Sequence, residues 1–189
     1  MLPIFTRKEG RIMIALFGIF LLGVAFGAWI AHCYPLWAQK LFKAFAKGLS
    51  ELLELTGWRL ALGIFLNNLR VTLILSLFGT LLPIMPGIIL YINGAAVGIV
   101  MGYVIKQERS FTAILGLIPH GVLEIPAILI AATVGTIAGF DLWRLGLGWK
   151  AVNLRYQDIF AYIWPRVLLA IGLLLPAAMI EVFITPLFI

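Results

Sequence analysis

An all-α, polytopic membrane helix bundle is the fold class this sequence predicts, and three observations predict it. The chain is 63% hydrophobic and 12% charged over 189 residues, with a mean hydropathy of +1.10. That is more apolar surface than a soluble domain of this length can use. The apolar residues gather into runs of about 20, the length that crosses a hydrocarbon core. Most of the charged residues gather between those runs, so the net charge of +6 reads as contact with lipid headgroups. A nucleic-acid partner would need a basic patch on a folded soluble surface, and the pattern supplies none. The expected architecture is about five full spans, a short re-entrant or half-crossing helix, and one or two interfacial amphipathic helices. They form one domain over residues 1–189, multi-pass in the cell membrane, with the lipid bilayer as first partner.

Span one is predicted from Ile12 to Ala31, behind Arg7, Lys8 and Arg11. The run is too long for the core of a signal peptide and no convincing cleavage site follows, so it reads as a retained span. Gly23, Gly27 and Ala31 recur every four residues and offer a surface for close helix approach. The stretch Leu36–Leu55 places Lys40, Lys43, Lys47, Glu51 and Glu54 on one stripe. Leu41, Phe42, Phe45, Leu49, Leu52 and Leu53 lie opposite, which describes an interfacial helix or one packed on the outside of the bundle.

Span two runs from Leu60 to Leu82 and span three from Gly87 to Tyr103; the short link through Pro83 and Pro86 makes them an antiparallel hairpin. Gly87, Tyr91, Gly94, Gly98 and Gly102 share a face against which another helix is expected to pack. The apolar stretch Phe111–Ile118 is too short to cross alone. Pro119 and Gly121 interrupt it, which predicts a half helix, a break, and a span from Gly121 to Phe140. On that span Ala127, Ala131, Gly135 and Ala138 make a stripe pressed against neighbours. Asp141–Arg166, mixed and aromatic-rich, reads as a second interfacial or solvent-side segment, and the last span as Val167–Pro186 with Glu181 inside it. The positive charges divide almost evenly between the two sides; the first span favours an inside N-terminus.

The candidate site is an intramembrane polar cluster. His120 and Glu124 are the only ionisable side chains from Ile114 to Phe140, four residues apart on one helical face. Ionisable groups at membrane depth are costly and usually line a protein interior or a wet cavity. The pair can be a structural hydrogen-bonded couple, a transport or proton-relay element, or two ligands of a metal. The metal reading is weakest, because such sites usually take three or four protein ligands. Arg70 is the natural counter-charge for Glu124, either to fix helix register or to select charge. Asn67, Asn68 and Asn93 can bridge helices or satisfy the interrupted backbone. The single Cys33 excludes an intrachain disulfide. No nucleophile motif, phosphate-binding loop or cofactor fingerprint is present, so neither an enzyme nor a cofactor is expected.

The same residues carry a resemblance. Asn67-Asn68, then Asn93-Gly94 with Gly98, then Pro119-His120-Gly121 with Glu124 resemble the stage II sporulation protein M family over Phe65–Gly139. The resemblance implies a membrane fold. The family's named member works with peptidoglycan-remodelling proteins during engulfment, and similar proteins occur in organisms that never sporulate, archaea included. It implies no active site. Two readings follow. One is a membrane assembly or scaffold protein that self-associates through its glycine faces and docks membrane or envelope proteins. The other is a small-solute or ion transporter or channel that uses Arg70, His120 and Glu124 around the break.

Overall fold

A computed structural model describes residues 6–48, 54–106, 110–148 and 155–185, with the backbone alone at residues 46 and 110–122. Six helices follow one another among these residues: α1 Arg7–Cys33, α2 Pro35–Gly48, α3 Gly57–Leu81, α4 Met85–Lys106, α5 Ser110–Gly146 and α6 Tyr156–Phe183. All but α2 contain a stretch long and apolar enough to cross a membrane, five in all.

Each boundary has a local cause. Thr6 opens α1 with a reciprocal capping box: its hydroxyl accepts from the Glu9 N–H, and the Glu9 carboxylate accepts from the Thr6 N–H. Pro35, whose fixed φ suits a first helical position, starts α2 directly after Tyr34 closes α1. The link from Leu82 to Ile84 turns α3 into α4, giving the predicted hairpin. The indole of Trp143 donates to the Leu81 carbonyl at 2.9 Å and satisfies an acceptor left over at the end of α3.

α5 is the axis of the bundle. Every residue from Ala131 to Gly139 is buried, and α1, α3, α4 and α6 all pack on it. Small residues make this possible: a Cβ on Gly135 would strike the Leu75 carbonyl, and one on Gly139 the Gly79 carbonyl. The most extensive helix pair is α1 with α4. Gly23 and Gly27 lie against the backbone of Tyr91 and Ala95, while Gly94 and Gly98 lie against that of Phe20 and Val24. The two glycine faces therefore mesh with each other inside one chain. The close approach expected of each face is met by the other.

Two further expectations change. The predicted break at Pro119 and Gly121, with its half helix, is replaced by one 37-residue helix, α5. A proline removes a single helical hydrogen bond, whereas unwinding in an apolar medium exposes several backbone groups. Pro126, Pro165 and Pro176 likewise sit within helices of this chain. The last span also starts earlier than the expected Val167. α6 begins at Tyr156, and Asp141–Gly146 end α5, so the supposed interfacial segment Asp141–Arg166 belongs largely to two long helices. α2 packs on α1 and α4, with Ala38 buried and Phe42 stacked on Tyr103 at 4.7 Å. Lys106 donates to the His32 carbonyl at 2.8 Å beside it. Lys40, Lys43 and Phe45 stay exposed or half-buried, and the part of the predicted amphipathic segment at residues 49–53 lies outside the described residues.

Candidate functional site

The inward stripe of α3 is polar. Asn68, Thr72 and Ser76 follow at four-residue steps and are all buried, with Gly79 continuing the line. One helical turn repeats in about 3.6 residues, so this spacing keeps the stripe on one side. That side faces α5, where a Cβ built on Gly79 would stand 2.8 Å from the Gly135 Cα. Ser76 and Thr80 donate to the Thr72 and Ser76 carbonyls of their own helix, at 2.9 and 2.7 Å.

Glu124 closes the upper part of this seam. Its side chain is 2% exposed and accepts a hydrogen bond from the Asn68 carboxamide at 2.5 Å. Asn68 stands near the middle of α3, so the pair lies near the centre of the bundle. Among the described residues the hydroxyls of Thr72, Thr133 and Thr136 are buried without a hydrogen-bond partner. The His120 side chain lies outside the described residues. Among the described residues no three His, Cys, Asp or Glu side chains gather as metal ligands. What the arrangement can do is bridge two helices, fix their register and hold a carboxyl group in an apolar interior.

The remaining candidates do not join the pair. Arg70 is exposed on the outer face of α3 and makes no ion pair among the described residues, so Asn68 takes the place expected for it beside Glu124. The reason is helical geometry. Arg70 is two positions beyond Asn68, about 200° around the axis, and directing Asn68 inward directs Arg70 outward. At a helix centre an outward arginine costs about 2.5–3.5 kcal/mol on an insertion scale. Asn67 is also exposed, and Asn93 bonds the Ile89 carbonyl of its own helix at 3.0 Å. Gly94, Gly98, Gly102, Ala131 and Gly135 all take part in close helix contacts or the buried core.

A double-mutant cycle separates the two pairings. Asn68→Ala with Glu124→Ala should show a coupling of about 0.6–1.7 kcal/mol in detergent unfolding, the range of hydrogen bonds between membrane helices. Arg70→Ala with Glu124→Ala should show none; a coupling there as large as the first returns Arg70 to the site.

A second polar cluster escaped the sequence reading. Glu9 on α1 is 2% exposed and receives the Arg166 Nε of α6 at 2.6 Å. Arg166 also donates to the Tyr162 carbonyl at 3.1 Å and lies 4.2 Å over the Tyr162 ring. The available signal was Thr6-x-x-Glu9, a helix-start signature, with one acid among three basic residues.

Comparison with known proteins adds three findings. A family model described as Stage II sporulation protein M matches residues 16–186. An uncharacterized protein of Methanocaldococcus jannaschii is 33% identical over 124 residues, 65% of this chain and 69% of that protein. No solved structure matches the chain.

Proposed function

The chain belongs to the stage II sporulation protein M family, a membrane protein of that family with five apolar helices, and from that premise we propose that it is a non-enzymatic assembly protein of the cell membrane that docks other membrane or envelope proteins. One observation carries this reading: the intramembrane charges are sorted. Glu124 points inward and is hydrogen-bonded between α3 and α5. Arg70 points outward at a comparable position along α3. A polar group held between helices serves the fold, whereas a charge facing lipid needs a partner. The close-packed α5 suits a rigid platform, since its neighbours approach it nearly backbone to backbone.

The test is affinity capture of the tagged full chain from its native membranes, followed by mass measurement of the native particle. A reproducible complex with a second membrane protein is the expected result. A bare monomer without a partner overturns the reading, and Glu124-dependent ion flux in liposomes would then favour a transporter instead.

A further inference from the structure

The outward face of α3 places two polar side chains where a helix in lipid should have none. Arg70 and Asn67 are three residues apart, both exposed, and neither has a hydrogen-bond or ion-pair partner among the described residues. Around Arg70 the surface is apolar and grooved, lined by Leu66, Leu69, Leu73, Ile74, Leu77 and Phe78. Trp58 marks one end of α3, and twelve residues of helix, about 18 Å, separate it from Arg70. An arginine side chain extended toward that end stays short of the headgroups. Its guanidinium also cannot shed its charge.

We propose that this stripe is the docking site for a transmembrane helix of a different protein, one that carries an aspartate or glutamate near the middle of the bilayer. The inference rests on the assembly reading above and names the partner's chemistry. Charge complementarity sets the acid, and the described acids of this chain stand where a second copy could not offer one to Arg70. The full sequence contains eight Asp and Glu residues. Glu9 is buried against Arg166, and Glu124 is buried against Asn68. Asp141 and Asp158 pair with Arg144 and Arg155 near helix ends. Glu51, Glu54 and Glu108 fall between the crossing helices in sequence, and Glu181 sits in the last turn of α6. Among the described residues no outward carboxylate stands at the depth of Arg70. A groove that presents a residue about every turn matches the i, i+3, i+4, i+7 contacts of an incoming helix.

The experiment places a photo-crosslinking side chain at Leu66, which is 51% exposed one turn from Arg70, in the full chain in its native membranes. One discrete adduct with another membrane protein is expected. Arg70→Leu should lower its yield at least 10-fold, Arg70→Lys less, and Arg70→Glu should regain it when the partner's carboxylate is exchanged for arginine. An adduct of two copies, an adduct of lipid alone, or a yield indifferent to Arg70 overturns the proposal. Arg70→Leu should melt no lower than the parent in detergent; a lower midpoint assigns Arg70 an internal role and also overturns it. Failure of the wider reading looks different. If affinity capture recovers no partner even from the unaltered protein, the assembly reading falls. If it recovers the same partner equally with Arg70→Leu, only this site falls.

Discussion

Gly98→Val and Gly27→Val are each expected to cost more than about 3 kcal/mol, the upper end of what overpacking usually costs, and to leave little native bundle in mild detergent. A Cβ on Gly98 would fall on the Val24 carbonyl, and one on Gly27 on the Ala95 carbonyl. Both obstacles are backbone, which cannot turn aside as a side chain can. The helices would have to separate along the whole α1–α4 seam, where Gly23 and Gly94 are equally tight. Lipid tails solvate an apolar helix about as well as another helix does, so close contact is most of what holds such a pair. The matched control is Gly18→Ala. Nothing lies within 4 Å of a Cβ at Gly18, and replacing a mid-helix glycine should stabilise by about 0.5–1 kcal/mol. Thermal unfolding followed by circular dichroism reads both. If Gly98→Val melts with the parent protein, the seam is not what joins α1 to α4.

That seam also shows what is legible in the sequence. Spacing alone marks Gly23 and Gly27 on one helix and Gly94, Gly98 and Gly102 on another. It cannot say that the two faces meet each other, because a glycine stripe specifies closeness and not a partner. The crossing helices and the α3–α4 hairpin are legible because apolar run length and a short link constrain them strongly. Two local signals mislead. Pro119 points to a break in α5, and the mixed, aromatic-rich composition of Asp141–Arg166 reads as interfacial. An apolar medium favours keeping the rest of the helical ladder intact, and α5 and α6 both run through. Glu124 is legible as a buried polar group, but charge suggests Arg70 as its partner when angular position decides the matter. Asn68 and Arg70 cannot both face α5. The contact between Glu9 and Arg166 spans 157 residues of sequence, and no local pattern announces a pair so distant.

Glu9→Ala is the second large effect, expected to cost about 3 kcal/mol, the low end for breaking a buried ion pair. The low end applies because Arg166 keeps 18% of its side chain exposed, so water can solvate it once Glu9 is gone. Glu9 has two tasks. One carboxylate oxygen accepts from Arg166, and the other accepts from the Thr6 N–H at the start of α1. Glu9→Gln keeps an acceptor for the cap and loses the charge, so it should fall between Glu9→Ala and the parent. Asp158→Asn supplies the contrast. Its pair with Arg155 is solvent-exposed, at 40% and 77%, and surface pairs contribute about 0–1 kcal/mol. Denaturant titration in mixed micelles ranks the four proteins. If Glu9→Ala and Asp158→Asn fall together, solvent screens both pairs and apolar contacts alone hold the bundle. If they separate as expected, one ion pair ties the first helix to the last. Loss of α1 from the bundle would then require loss of its hold on α6, making the two ends of the chain one cooperative unit around α5.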